Sequence, residues 1–339
     1  MFDHILAPLD GSSLAECVLP HVVAVARACE SQVTLMHVLE QSQDQGRLID
    51  PLSWHINEAE TRAYLDGLTP RLQQAGLRTG VSLLDGQAAG RIIGFAHSQD
   101  VDLIVLSSHG QSGLSGWNVS SVVQKTALRA HVPVMIVRAY QAAPADLDFS
   151  YRRILVPLDC SQRAECVLPL ATALARFHGA ELLMAHIVSP PQMPQRVPHT
   201  PEDIELANRL VERNWMGAAD YLAQRKSWSP VDVRTHLLVS DNVPATLHNL
   251  VEQENVDLVV LSAHGCSGGT MWPYGSMALN FLCYGSTPLL IVQDLSPGKA
   301  ERTMVETFDS ECTRQYREYS PRPARLNSAV ADGQSARVL

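Results

Sequence analysis

The chain has no apolar run near the roughly 20 residues that a membrane-spanning helix needs, so no span is expected. Its start, MFDHILAPLDGSS, lacks the basic-then-apolar order of a secretion signal, which makes the cytoplasm the expected compartment. Cations are scarce: 26 Lys and Arg stand against 35 Asp and Glu, a net charge of -9, and no basic cluster stands out. Neither nucleic acid nor an anionic membrane is an expected partner, because both require clustered positive charge. The seven cysteines, odd in number and without CxxC spacing, exclude a disulfide framework and a cysteine zinc site. Cys17 and Cys166, at equivalent points of two apolar helix starts, read as buried structural thiols. GxGxxG after a strand and GxxxxGK[ST] are both missing, which argues against a dinucleotide dehydrogenase and a P-loop motor. With no HExxH and no GxSxG elbow, zinc hydrolysis and triad hydrolysis lose their support.

What the sequence does contain is a repeat. Ile5 to Pro20, ILAPLDGSSLAECVLP, recurs as Ile154 to Pro169, ILVPLDCSQRAECVLP, with twelve of sixteen positions identical. Val101 to Gly113, VDLIVLSSHGQSG, recurs from Val256 as VDLVVLSAHGCSG, with ten of thirteen identical. The offsets, 149 and 155, place the length difference in the dissimilar stretches around Gln41 to Glu60 and Pro190 to Glu205. Two homologous domains are expected over residues 1–141 and 151–295, with a linker at 142–150 and a mostly disordered tail at 296–339. A short helix is expected near Ala300 to Phe308.

Within each copy, short Val/Ile/Leu runs alternate with longer segments of helical period. This pattern predicts an α/β fold of two doubly wound, Rossmann-like domains, each a five-stranded parallel sheet with helices on both faces. Strands are expected near His4–Leu9, Gln32–Leu39, Thr79–Leu84, Leu103–Ser107 and Val134–Arg138. Their counterparts are Arg153–Leu158, Glu181–Val188, Asp232–Leu238, Leu258–Ser262 and Leu289–Gln293. Ala15–Cys29 and Ala164–His178 read as first helices, with Ser12 and Ser161 as N-caps and Ser13 with Glu16 as a capping box.

In such a sheet the ligand crevice lies outside the carboxyl ends of the strands. Asp10 and Asp159 follow the first strand of each copy, placed either to accept hydrogen bonds from a ribose or base amine or to cap a turn. After the fourth strand of copy two comes Ser262-Ala263-His264-Gly265, then nine residues, then Gly275-Ser276 opening a helical run. Close backbone approach at glycine and a helix N-terminus make a phosphate cradle, or simply a turn. Trp117, Trp272 and Tyr274 lie within the intervening loops and could cover a ligand or pack on the sheet. His37, His109, His186 and His264 bring two imidazoles to each crevice, read as hydrogen-bonding groups, with no metal site expected.

These residues resemble a tandem universal stress protein over approximately residues 1 to 295. Nucleotide-binding members of that family carry G-x2-G-x9-G-[S/T] after strand four and an Asp after strand one. The resemblance implies an ATP pocket, with Mg2+ accompanying, formed by Pro157, Asp159, Ile187, Val188, His264, Gly265, Gly275 and Ser276. It implies a weaker counterpart at Pro8, Asp10, Val38, His109, Gly110, Ser120 and Ser121. Copy one departs from the pattern with Ser120-Ser121, a weakness expected if position 120 needs positive φ or an open backbone, and both copies have Ser where the first Gly belongs. The expected function is a stress-response or regulatory protein that binds an adenine nucleotide rather than catalysing a reaction, with slow ATP hydrolysis left open beside binding. The alternatives are an interaction scaffold without nucleotide and a small-molecule or lipid binder. Pairing of the two copies through their last strands is expected, with a homodimer or other protein partners open.

Overall fold

A computed structural model of the chain describes residues 1–40, 51–111, 113, 119–140, 147–193, 199–266 and 273–294. The expected tail and its helix, Trp117 and Trp272 lie outside these residues. The first half runs β1 (His4–Pro8), α1 (Ser13–Glu16), α2 (Leu19–Cys29), β2 (Gln32–Leu39), α3 (Pro51–Gln74), β3 (Arg78–Asp85), α4 (Ala88–Ser98), β4 (Leu103–Ser107), α5 (Ser121–Ala127) and β5 (Val134–Val137). The second runs β6 (Arg153–Pro157), α6 (Gln162–Glu165), α7 (Leu168–His178), β7 (Glu181–Val188), α8 (Pro201–Trp228), β8 (Val233–Val239), α9 (Val243–Gln253), β9 (Leu258–Ser262), α10 (Ser276–Tyr284) and β10 (Leu289–Val292).

Strand order is β3-β2-β1-β4-β5-β10-β9-β6-β7-β8. All neighbours are parallel except β5 and β10, which pair antiparallel with Met135 opposite Leu290. The central strands carry the continuous apolar runs that burial on both faces requires, such as LIVLS in β4 and LVVLS in β9, each fully buried. The apolar strands VMIV and LLIV would each leave an exposed sheet edge alone; paired, they join the two sheets into one.

The single first helix expected in each copy is divided. Pro20 and Pro169 lack the N–H that would bond to the carbonyls of Glu16 and Glu165, so the chain turns and restarts as α2 and α7. Ser12 and Ser161 are N-caps, accepting from the Ala15 and Ala164 amides at 3.1 and 3.2 Å. Since Ser13 is already helical, the capping box with Glu16 does not form. The paired cysteines differ as well: Cys17 is buried, its thiol 3.4 Å from Ser107 Oγ, whereas Cys166 is exposed.

Side-chain contacts also fix the halves to each other besides the strand pair. Arg138, 1% exposed, reaches across the seam to the carbonyls of Phe281 (2.7 Å) and Leu282 (3.2 Å) at the end of α10. A β-carbon at Gly285 would lie 2.5 Å from the Phe281 carbonyl oxygen and 3.1 Å from that guanidinium, so glycine leaves room for it. Reciprocally, Gln293 reaches the Ala130 carbonyl after α5 at 3.4 Å. On one face α2 packs on α7, where buried His21 bonds the Tyr151 hydroxyl at 2.9 Å and Phe149 and His178 meet Tyr151 edge-on.

Candidate functional site

In each half, β1 or β6 lies between a strand that precedes it in the order and one that follows, so the connections leave in opposite directions and open a crevice. The Asp after that strand sits in it with its hydrogen bonds already made. Asp10 accepts from Ser12 N (3.0 Å), Ser12 Oγ (2.6 Å) and Gln111 N (2.5 Å). Asp159 repeats this with Ser161 N (3.0 Å), Ser161 Oγ (2.6 Å) and Cys266 N (2.5 Å). Partial burial raises the Asp159 carboxyl, but the bonds from Ser161 and Cys266 outweigh it and the net direction is down.

Gly110 and Gly265 have a specific steric duty. A β-carbon at either would overlap the Oδ2 of Asp10 or Asp159, so the glycine admits the carboxylate to the following amide. The motif's Gly in this position serves the clamp between two loops. Ser107 and Ser262, where the pattern's first Gly belongs, close the same turn: Ser107 Oγ lies 2.6 Å from the His109 carbonyl and Ser262 Oγ 2.5 Å from that of His264.

At position 120 one of the two expected demands, positive φ, is absent. Ser120 has φ -70 and Gly275 φ -71, both extended, so the site makes no demand for positive φ. Both are N-caps, and their amides bond the carbonyls of Ser108 (2.8 Å) and Ala263 (2.7 Å) alike. Ser120 adds a side-chain cap to Val123 N at 3.4 Å, whereas Gly275 has none and leaves its backbone barer. A β-carbon at 275 would sit 3.4 Å from the Ala263 carbonyl oxygen, in ordinary contact with backbone.

Pro8, Asp10, Val38, His109, Gly110, Ser120 and Ser121 all line one cavity of ≈ 1230 Å³ in the first half. Its wall also includes Glu40 and, from α3, Glu60 and Tyr64, which sequence reasoning missed because α3 returns over the crevice from far along the chain. Among the described residues the lining holds three carboxylates, Asp10, Glu40 and Glu60, and no Lys or Arg. In the second half, Pro157 ends β6, Ile187 and Val188 end β7, His264 and Gly265 follow β9, and Gly275 and Ser276 open α10. The Asp159 and Gly275 bonds tie the loops after β6 and β9 and the start of α10 into one locus.

The two histidines after the fourth strands are held differently. His109 Nδ1 meets Ser108 Oγ at 3.1 Å, and that hydroxyl also accepts from Ala139 N at 3.0 Å. In copy two the matching residues are Ala263 and Asp294, and His264 Nδ1 bonds Asp294 Oδ1 at 2.6 Å, with both side chains nearly fully buried. Arg163 Nε is 3.2 Å from the other Asp294 oxygen. Asp294 was legible only by aligning VRA after β5 with VQD after β10. Among the described residues no group of three His, Cys, Asp or Glu could hold a metal ion, and no helix is long and apolar enough to cross a membrane.

A model of the universal stress protein family matches residues 1–138 and again 150–293. Universal stress protein MJ0531 of Methanocaldococcus jannaschii is 25% identical over 142 residues, 41% of this chain and 83% of that protein. Universal stress protein YxiE of Bacillus subtilis is 27% identical over 149 residues, 41% of this chain and all of that protein. The crystal structure of a universal stress protein from Archaeoglobus fulgidus shares the fold at a TM-score of 0.59 and 18% identity, covering 86% of this chain and 98% of that one. With two matches that together take in most of its length and a parallel sheet for each, the chain belongs to the universal stress protein family as a tandem member.

Proposed function

We propose that the protein binds an adenine nucleotide in its crevices, ATP chiefly in the second half, and acts as a stress-response regulator in the cytoplasm by binding without turnover. The observation that carries this reading is the ≈ 1230 Å³ cavity at the switch point of the first half, walled by the residues that the family resemblance assigns to a nucleotide. The second half repeats its Asp-over-Gly clamp and adds the Gly275-Ser276 start of α10, where bare amides and the helix dipole suit a phosphate. Asp159, once released from Cys266 N, would turn to a ribose hydroxyl; Mg2+ would accompany the phosphates and neutralise their charge. The carboxylate-rich first cavity suits a less charged adenine ligand than a bare triphosphate.

The test is to denature the purified protein, identify any released nucleotide, and titrate ATP by calorimetry. Asp159→Ala and Gly275→Val should each weaken binding at least tenfold, about 1.4 kcal/mol. No released nucleotide together with no binding heat at millimolar ATP rejects the reading. A second reading, a scaffold that works through a homodimer or other protein partners, has one observation in its favour: Asp10 and Asp159 each already accept at least three protein hydrogen bonds.

A further inference from the structure

Two exposed cysteines, Cys160 and Cys266, stand on the loops after β6 and β9 at the second crevice. The first half has Gly11 and Gln111 at the same points of the repeat. Both thiols border one carboxylate: Cys266 gives Asp159 its N–H at 2.5 Å and a thiol hydrogen bond, and Cys160 is the next residue after Asp159. The Cys160 sulfur lies 3.7 Å from His186 Nδ1. That nitrogen is also 2.8 Å from the Leu158 carbonyl, an acceptor only, so it carries a proton and can donate toward the sulfur as well. Cys160 holds φ +64, left-handed backbone that Gly11 occupies freely at φ +82, so a thiol stands where the chain geometry favours glycine.

We propose that Cys160 and Cys266 form a reversible disulfide, driven by a hydroperoxide, that bridges the loops at the mouth of the second crevice and has no counterpart in the first. The Cys266 sulfur attacks the peroxide O–O bond. Asp159 is placed to take the thiol proton, the proton passes to the leaving oxygen, and Cys266 is left as a sulfenic acid. The Cys160 sulfur then attacks the sulfenic sulfur, the S–S bond forms, and hydroxide leaves with the Cys160 proton as water. The sum is two thiols and one hydroperoxide giving a disulfide, an alcohol or water, and water. Burial first, then the charges of Asp159, Cys266 and Glu165, hold the Cys160 thiol above its ordinary range, so it stays protonated until it attacks and gives its proton to the departing hydroxide. A bridge over Asp159 would slow exchange of whatever occupies this crevice; for a nucleotide, that consequence rests on the function proposed above.

The experiment uses the full-length reduced protein, treated with hydrogen peroxide, alkylated and digested without reductant. Expected are the loss of both thiols, a cross-linked Cys160–Cys266 peptide lighter by two hydrogens than its reduced parts, and full recovery with dithiothreitol. Cys17, Cys29 and Cys283 serve as internal controls. Cys266→Ser should abolish the cross-link and leave Cys160 open to alkylation. Cys160→Gly, which places the first half's residue there, should leave Cys266 as a sulfenic acid that dimedone traps. Unchanged alkylation of both thiols after peroxide, or a cross-link between other cysteines, overturns the proposal. None of these readouts uses a nucleotide, so failure of the disulfide and failure of nucleotide binding are seen separately.

Discussion

At the residue scale, the crevice is governed by a few atoms whose partners are close. Gly265→Ala should destabilise the protein by about 1–3 kcal/mol, because the new β-carbon overlaps Asp159 Oδ2 and the loop or carboxylate must shift. In the double variant with Asp159→Ala the penalty should be much less than the sum of the two, measured as denaturant midpoints in a double-mutant cycle. Additive penalties would place the cause elsewhere. Cys160→Gly should instead stabilise by about 1 kcal/mol, since the φ of +64 then costs nothing. The clamp residues were legible because Asp10 and Asp159 fall at the same place in one repeated block, and Gly110 and Gly265 at the same place in the other. Their duty was not, because a glycine that admits a phosphate and one that admits a carboxylate look the same in sequence. Asp294 was hidden for the opposite reason: its partner His264 lies across a strand pair, and the repeat has Ala139 in its place.

At the element scale, the strands were legible nearly to the residue because buried parallel strands carry unbroken Val/Ile/Leu runs. The first helices were read as continuous because their apolar face continues through Pro20 and Pro169 while the hydrogen-bond ladder does not. Had position 120 needed positive φ, Ser120→Gly would strengthen ligand binding in the first half by relieving it; had it needed an open backbone, the same change would do so by uncrowding the ligand. With φ already at -70, the change should leave that strain term at zero and weaken α5 by a few tenths of a kcal/mol through loss of the Ser120 cap. Ser120→Ala, which keeps the β-carbon and removes the hydroxyl, should cost about 1 kcal/mol. Thermal unfolding of the two variants separates these outcomes, and a stability gain for Ser120→Ala would remove the capping role.

At the scale of the whole molecule, the halves are locked by the β5–β10 pair, by Arg138 and by the His21 cluster. Burial lowers the His21 pKa to about 4, while the unfolded chain titrates near 6.5. The unfolded state therefore binds its proton first, and stability present above pH 6.5 should fall by about 3 kcal/mol as the pH drops toward 4. His21→Phe should flatten that stretch of the stability profile in urea titrations; an unchanged slope would assign it to other groups, His178 among them, whose pKa burial also lowers. Arg138→Ala removes the guanidinium bonds to three carbonyls near the end of α10 and should lower the stability of both halves in one transition rather than detach the second alone.

The seam between β5 and β10 has an effect on what the sequence is free to become. In a dimer of identical chains every substitution arrives twice, so a residue that suits one crevice is imposed on the other. Here the partner is covalent and unlike, and Arg138 can face a helix end while its counterpart Gln293 faces another. Asp294 can stand opposite Ala139, and a cysteine opposite Gly11, without a matching change across the seam. Specialisation of one half is the freedom that a fused pair has and a symmetric one lacks.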